Sequence, residues 1–415
     1  MGILNLGEQT VKDFVDDPND TSRRGPLDLL ICENCGLVQL RHTFSKDYLY
    51  SHYWYKSGTS PTMVKELRRI VESARRFVTL KEDDIVVDIG SNDGTLLEQY
   101  REIKLNKLGF EPSNIFKEGN LDQIKVVNGY FNDASYNELF PGKKAKIVTS
   151  IAMFYDIDDP NTFTIELKRI LDKEGIWIIQ MNYLGLMLKN LGYDNICHEH
   201  VCYYSLSSLR YLLELNNFEI VDAELNNVNG GSFRVTVKHS EDKTKKVNRT
   251  AIDRILKKES KLRLSETSTY SAFKRDIEKQ SKTLNSLISK IAKTGKEILI
   301  YGASTRGLVI LEFCKIDKDR VRYATDKNSD KWGKFLAGTG IKIISLEEYR
   351  KLNPSYLLIL PYQYVNEITF QEREFLKKGG KMIIPLPKVR VIDKDFLTDR
   401  NEAEKEKFLK GYDRL

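Results

Sequence analysis

The sequence has few cysteines, prolines and glycines, and it lacks any long run of apolar residues. Five cysteines in 415 residues are too few for a disulfide framework. Ten prolines and 25 glycines exclude a collagen-like or low-complexity protein. No run approaches the ~18 apolar residues of a membrane helix, and the N-terminus lacks the basic start and apolar core of a signal peptide. We therefore expect a cytoplasmic protein with reduced thiols and no membrane insertion.

The charge is close to balanced. Lys and Arg total 66, Asp and Glu total 59, and the formal net charge is +7. With 41% hydrophobic residues, this composition indicates folded domains with apolar cores. The small positive excess favours an anionic ligand. It does not form a nucleic-acid-binding stripe, so we expect no nucleic-acid partner.

The pattern changes along the chain predict four regions. Residues 63–240 and 297–415 alternate short β-branched runs with helical patterns, which is typical of parallel α/β sheets. Residues 1–62 form a small N-terminal domain with one CxxC pair. Residues 241–296 are a Lys-rich helical connector. Its apolar residues fall on one helix face, namely Phe273, Ile277, Leu284, Ile288 and Ile291.

The segment IVVDIGSNDG, residues 85–94, predicts a buried strand followed by a tight turn between Gly90 and Gly94. Ligands of open α/β sheets bind at the carboxyl ends of such strands, and glycine lets the backbone approach them closely. The next strand, KLGFE, ends at Glu111. A carboxylate there can accept hydrogen bonds from both ribose hydroxyls of a nucleoside.

Dinucleotides and S-adenosylmethionine (SAM) both use this layout. A dinucleotide needs GxGxxG and a helix N-terminus for its pyrophosphate, whereas Asp93 lies where that pyrophosphate would sit. A carboxylate there suits the positive amino and sulfonium groups of SAM, so we expect SAM and no tightly bound NAD or NADP. Met153 and Phe154, in the loop after the fourth strand, flank the cofactor or are core side chains. The predicted cofactor-binding residues are Asp88, Gly90, Asn92, Asp93, Gly94, Glu111, Pro112, Met153 and Phe154.

A second cluster, DNICHEHVCYY at residues 194–204, follows the fifth strand on the cofactor side. His-x-His with no second cluster nearby is weak evidence for a metal. Methyl transfer to carbon or oxygen needs a base near the acceptor, and histidine suits that role near neutral pH. The residues alone leave both a catalytic base and a packed histidine open.

The segment EILIYGASTRG, residues 297–307, predicts a second strand, tight turn and helix. It resembles a dinucleotide site, but Ser304 replaces the middle glycine. Arg306 beside the helix N-terminus suits a diphosphate; the alternative is a degenerate unit kept for packing. The segment NNVNGGSFRV predicts a turn before a returning strand, with Asn229, Ser232 and Arg234 lining the same cleft.

Taken in order, these motifs resemble the SAM-dependent sugar-nucleotide C-methyltransferase family. They are CxxCGLVQL, YSHYWYKSGTSPTM, DIGSNDGTLL, SIAMFYDIDDP, CHEHVCYYS, NNVNGGSFRV and IYGASTRG, and they cover nearly the whole chain. The resemblance implies an α/β fold with a small N-terminal domain of zinc-binding type, a central class I methyltransferase Rossmann-like domain and a C-terminal Rossmann-like domain. It also implies a methyl transfer to the carbon next to the ketone of a nucleotide-linked 4-keto-6-deoxy sugar, through an enolate.

The resemblance also implies residue roles. His200 is the base, and Glu199, Tyr53 and Tyr55 orient the sugar and stabilise the enolate oxygen. Some relatives carry Tyr where this chain has Cys197, which is a poorer hydrogen-bond donor. The predicted substrate-binding residues are Lys56, His198, Asn229, Ser232, Arg234, Ser304 and Arg306.

The zinc site of that family uses two CxxC pairs, whereas this chain has only Cys32 and Cys35. A structural zinc needs four ligands, so we expect two free thiols at a turn. His42 and His52 are further candidate ligands.

Two other functions remain as alternatives. One is a sugar O-methyltransferase in which His200 deprotonates a hydroxyl. The other is a sugar-nucleotide-binding protein without catalysis, which the intact DIGSNDG loop, Glu111 and His200 argue against.

Overall fold

The computed structural model describes residues 1–20, 23–50, 53–101, 103–115 and 124–397. The N-terminal region places β1, β3 and β4 in one antiparallel sheet. Buried and more exposed residues alternate along β3, as expected for a strand with one covered face. The elements of this region are β1 (Gly2–Thr10), β2 (Phe14–Val15), β3 (Arg24–Ile31), β4 (Val38–Leu40) and α1 (Lys46–Tyr50).

The central region is built on a seven-stranded sheet. Its elements are α2 (Pro61–Ala74), β5 (Ile85–Ile89), β6 (Asn106–Phe110), β7 (Ile124–Val127), α3 (Asp133–Leu139), β8 (Ala145–Ile151), α4 (Pro160–Ile170), β9 (Leu171–Asn182), α5 (Leu184–Lys189), β10 (Cys202–Tyr203), α6 (Leu206–Leu215), β11 (Phe218–Asn226) and β12 (Ser232–His239). The strand order is β7-β6-β5-β8-β9-β12-β11, and all neighbouring strands from β7 to β9 are parallel. Every residue of β5 is buried, as expected for a strand covered on both faces. Because β6 and β8 lie on opposite sides of β5, the sheet has its topological switch point beside β5, where such sheets bind ligands.

Two helices connect the central and C-terminal regions: α7 (Arg249–Leu262) and α8 (Thr267–Ala292). The predicted apolar stripe is confirmed, since all five of its residues are buried on α8. Among the described residues, no helix combines the length and apolar character needed to cross a membrane.

The C-terminal region repeats the α/β pattern. Its elements are β13 (Ile298–Tyr301), α9 (Thr305–Phe313), β14 (Tyr323–Thr325), β15 (Phe335–Leu336), β16 (Ile341–Ile344), α10 (Leu346–Leu352), β17 (Tyr356–Ile359), α11 (Val365–Gln371), α12 (Arg373–Lys377), β18 (Lys381–Ile384) and β19 (Arg390–Ile392). The strand order is β19-β18-β17-β13-β14-β16-β15-β2, and the switch point lies between β13 and β17. Gly302 follows β13 with φ +87°, and a Cβ there would lie 2.5 Å from Pro361 Cδ, so the turn requires glycine.

The N-terminal region joins both larger sheets. Its strand β2 pairs with β15 at the edge of the C-terminal sheet, and β4 pairs with β10, which follows the histidine cluster. The α/β fold with two Rossmann-like units and a small N-terminal part is thus confirmed.

Candidate active site

A cavity of about 1240 Å³ lies where the two larger sheets face each other. Residues 88–92, at the end of β5 and in the loop after it, and residues 302–306 after β13 both line it, so both switch points open into one space. Pockets for one small ligand typically measure roughly 300–1,000 Å³. The cavity therefore has room for a cofactor together with an acceptor.

The loop after β5 forms the central-sheet wall of this cavity. Gly90 has φ +73°, and a Cβ there would lie 2.9 Å from Met153 Cγ. The Glu111 carboxylate accepts hydrogen bonds from the backbone N–H groups of Asn92 at 2.8 Å and Ser113 at 2.9 Å. Each carboxylate oxygen retains lone-pair capacity for a further donor.

Asp88 is buried beside this wall. Burial raises its pKa to about 8, the Glu111 charge adds to the rise, and the hydrogen bond from Thr149 Oγ1 at 2.6 Å opposes it. Asp88 is therefore largely protonated at neutral pH.

This wall fits SAM, because the fixed Glu111 carboxylate directly after β6 can accept hydrogen bonds and a glycine turn lets the backbone approach a ligand. Six predicted cofactor residues line the cavity: Asp88, Gly90, Asn92, Glu111, Pro112 and Met153.

Two further predicted residues of this loop, Asp93 and Gly94, are not among the residues that line the cavity. Asp93 Oδ2 accepts a hydrogen bond from the Gly58 N–H at 2.7 Å, and its Oδ1 accepts one from Thr95 Oγ1 at 2.6 Å. Both oxygens are thus engaged within the protein. Asp93 holds the turn Ser57–Thr59 against the loop instead of facing the cavity.

Phe154, for which the sequence left open a place beside the cofactor or in the core, lies in the core. It is fully buried and packs against Phe163, Trp177 and Tyr204 in an aromatic cluster. Its neighbour Tyr155 lines the cavity instead. Adjacent residues of the turn after β8 therefore divide into one core side chain and one wall side chain.

His200 lines the same cavity as the turn after β13. Its Nδ1 is 2.7 Å from the Asn195 carbonyl oxygen. Because a carbonyl oxygen only accepts, Nδ1 carries the hydrogen and Nε2 keeps a free lone pair in the neutral ring. Burial lowers the pKa of His200 to about 4, and Arg306 contributes to the decrease, so the ring is neutral at pH 7. The Tyr155 ring packs 4.3 Å from it, centroid to centroid.

Cys197 and Glu199 lie beside His200, and one potential ligand atom from each of the three residues lies within 4.8 Å of the other two. Burial raises the pKa of Cys197 and of Glu199, and Asp13 adds to the effect on Glu199. Burial therefore favours the uncharged forms of both groups. Glu199 lines the same cavity as His200.

Residues 53–56, which we call the aromatic segment, form another wall of the cavity. Tyr53, Tyr55 and Lys56 line the cavity. Burial raises the pKa of Tyr53, with Glu199 as the next contributor, so its phenol stays a hydrogen-bond donor.

Three predicted substrate residues do not line this cavity. His198 is buried, with Nε2 3.3 Å from the Gln9 carbonyl oxygen. Arg234 forms a buried ion pair with Glu66 at 2.5 Å, and Ser232 Oγ donates to the Val228 carbonyl at 2.9 Å.

Asn229, Ser304 and Arg306 do line the cavity. Ser304 caps α9, where its Oγ accepts from the Gly307 N–H at 3.1 Å. Arg306 is engaged with the protein, since its Nη2 is 2.6 Å from Asp194 Oδ2 and its Nη1 donates to the Asn229 carbonyl at 2.7 Å.

Cys32 and Cys35 lie in the turn between β3 and β4 and are both partly exposed. Among the residues that the structure describes, no third ligand groups with them at metal-binding distance. His42 is exposed, and His52 lies outside the described residues. The described residues therefore do not fit a four-ligand zinc site.

Sequence reasoning missed Asp13, which lines the cavity from the N-terminal region. Thr305 Oγ1 donates to its carboxylate at 2.6 Å, and burial raises its pKa to about 6. No local pattern marks this residue, because its partner Thr305 lies 292 positions along the chain.

Comparison with protein families and relatives gives consistent matches. Residues 227–387 match the model of a C-methyltransferase C-terminal domain, residues 63–223 that of a methyltransferase domain, and residues 2–50 that of a domain proposed to bind zinc. The chain is 30% identical over 369 residues to the C-methyltransferase NovU of Streptomyces niveus, covering 88% of this chain and 87% of that protein.

Solved structures that match part of this chain include two methyltransferases. A SAM-dependent methyltransferase from Clostridium acetobutylicum ATCC 824 is 13% identical, covering 42% of this chain and 92% of that chain with a TM-score of 0.33. One from Aquifex aeolicus is 17% identical, covering 43% and 97%, with a TM-score of 0.32.

Proposed function

Since this chain belongs to the family of SAM-dependent C-methyltransferases, we propose that it methylates a nucleotide-linked 4-keto-6-deoxy sugar at a carbon next to the ketone. One observation carries this proposal: a single cavity joins the loop after β5, His200 and the turn after β13, which gives room for a cofactor, a base and a nucleotide-linked acceptor. A cofactor at the loop after β5 and a nucleotide at the turn after β13 would leave the sugar beside His200. Family membership decides against an O-methyltransferase and against a protein without catalysis.

His200 has the properties of the base for this reaction. Its Nε2 lone pair is free, because Nδ1 donates to Asn195, and its lowered pKa keeps the ring neutral. In this proposal Nε2 takes the proton from the carbon next to the ketone, and the C–H electron pair forms the enolate. SAM, when bound, supplies the electrophilic methyl group that this carbon acquires.

The enolate oxygen needs hydrogen-bond donors in a site sheltered from water. Tyr53 and Tyr155 line the cavity, and burial raises the pKa of both phenols, so they remain donors. Glu199, with its raised pKa, is a third donor in its protonated form. These groups compensate for Cys197, whose thiol donates weakly.

The nucleotide end of the acceptor fits the turn after β13. Ser304 and Arg306 line the cavity there, at the N-terminus of α9, which favours an anionic group. Lys56 lines the cavity from the aromatic segment, and its Nζ lies 3.8 Å from Asp330 Oδ2.

The test is wash-out of the substrate's α-proton into heavy water, with S-adenosylhomocysteine in place of SAM. We expect the wild type to exchange this proton and His200→Asn to exchange it about 10²–10⁴-fold more slowly. His42→Asn is the matched control, because His42 is exposed and is not among the residues that line the cavity. Wild-type exchange in His200→Asn would show that another group is the base. Absence of exchange by the wild type on such sugars would refute the acceptor class.

A further inference from the structure

A partly buried ion pair joins the C-terminal region to the turn that precedes His200. Arg306 Nη2 lies 2.6 Å from Asp194 Oδ2, and the Arg306 Nε donates to the same oxygen at 2.8 Å. Tyr362 donates its hydroxyl to Asp194 Oδ1 at 2.8 Å. The Asp194 side chain is only 1% exposed. Both of its oxygens accept hydrogen bonds from residues of the C-terminal region, Oδ2 from Arg306 and Oδ1 from Tyr362.

The backbone next to Asp194 holds the base. Asp194 is the middle residue of the short 3-10 turn Tyr193–Asn195. The carbonyl of Asn195 accepts the Nδ1–H of His200 at 2.7 Å. Asn195 is fixed further by its side-chain amide, which donates to the Gly192 carbonyl at 2.9 Å and accepts from Asn182.

Arg306 also donates a hydrogen bond to a second turn. Its Nη1 donates to the carbonyl of Asn229, in the turn Val228–Gly230. The Arg306 guanidinium therefore connects two turns of the central region, Tyr193–Asn195 and Val228–Gly230. A buried ion pair adds little net stability, because desolvation offsets the attraction, but it fixes geometry where both partners are fully bonded.

We propose that Asp194 is a positioning residue for His200, and that Arg306 and Tyr362 hold Asp194 in that role. Through the Asn195 carbonyl, they keep the hydrogen on Nδ1 and aim Nε2 at the acceptor. The proposal rests on the proposed function, in which His200 is the base. It implies that the base becomes competent only when the C-terminal region is docked on the central sheet.

The test uses two variants that keep side-chain shape. Asp194→Asn removes the charge, and Tyr362→Phe removes one hydrogen bond without changing any charge. Tyr349→Phe is the matched control, because Tyr349 is equally buried in the same region and donates to Glu372 at 3.0 Å, away from the cavity.

The readouts are the tautomer of His200 by nitrogen NMR and the rate of α-proton exchange. The chain has only five histidines, so the His200 signals can be assigned with His200→Asn. We expect a single Nδ1–H tautomer in the wild type and in Tyr349→Phe, and mixed tautomers in Asp194→Asn and Tyr362→Phe. Misplacement of a reacting group by about 1 Å can cost ~100-fold, so we expect exchange to fall by about 10- to 100-fold in Asp194→Asn. Affinity for S-adenosylhomocysteine should stay at the wild-type value.

Two failures can be told apart. If His200→Asn exchanges the proton as fast as the wild type, the proposed base is wrong. If His200→Asn loses exchange while Asp194→Asn and Tyr362→Phe keep one tautomer and the wild-type rate, the base stands and the positioning role is refuted. Tyr362→Phe keeps the test valid should Asp194→Asn fail to fold.

Discussion

Glu111 provides a direct test of the cofactor wall. Its carboxylate is buried and held by two backbone N–H groups, at 2.8 and 2.9 Å, with lone pairs left for a ribose hydroxyl. Glu111→Gln removes the charge but retains a similar shape. A hydrogen bond to a charged group contributes about 1.5–3 kcal/mol, so we expect affinity for S-adenosylhomocysteine to fall roughly 10- to 150-fold.

Calorimetry with S-adenosylhomocysteine measures this loss directly. The amide of the variant retains one acceptor oxygen, so one of the two backbone N–H groups loses its partner, and thermal melting should record a small loss of stability. Glu98→Gln is the control, because Glu98 is exposed just after the loop and does not line the cavity. Unchanged affinity in Glu111→Gln, in a folded protein, would place the cofactor elsewhere and refute the reasoning from the end of β6.

Three further predictions concern neighbouring groups. Asp93→Ala should leave affinity for S-adenosylhomocysteine near the wild-type value and raise the acceptor KM, because Asp93 holds Gly58 and does not line the cavity. A loss of S-adenosylhomocysteine affinity as large as that of Glu111→Gln, measured by calorimetry, would contradict this. Asp88→Asn should gain stability over the wild type as pH rises from 4 to 8, by about 1.4 kcal/mol per pH unit, because the unfolded carboxyl ionises near 3.8 whereas the folded one holds its proton to about 8. Urea unfolding of both proteins across that range measures the difference, and a flat difference would refute the raised pKa. Replacing Cys32 and Cys35 together by Ser should leave the melting temperature unchanged with or without a chelator, because the described residues give them no third ligand.

The sequence predicted the parts of the site that follow from strand ends. The strand β5 reads as an unbroken apolar run up to Asp88, and Glu111 comes directly after β6, so both positions followed from the rule that ligands bind at carboxyl ends. The directions of turn side chains did not follow. Asp93 and Phe154 lie in turns, where no two- or 3.6-residue period tells which side chain faces the ligand.

Contacts between distant segments were also beyond the sequence. Asp194 and Arg306 are 112 residues apart, and each has a local explanation that hides the pair: one lies in a polar turn, the other beside a helix N-terminus. The strands β2 and β10 have two residues each, too short for an alternating pattern to show. Both were therefore missed, although they attach the N-terminal region to each larger sheet.

The backbone of the aromatic segment is hydrogen-bonded from both sides of the cavity. On the central side, Asn92 donates from Nδ2 to the Tyr55 carbonyl at 2.8 Å and accepts from the Ser57 N–H at 2.9 Å. On the C-terminal side, Asn328 Nδ2 donates to the Trp54 carbonyl at 3.3 Å. The loop predicted to bind only the cofactor therefore also fixes the backbone that carries the acceptor-side phenols. A change in this loop would consequently disturb acceptor binding even where the cofactor contacts survive, and measuring KM for both ligands separates the two effects.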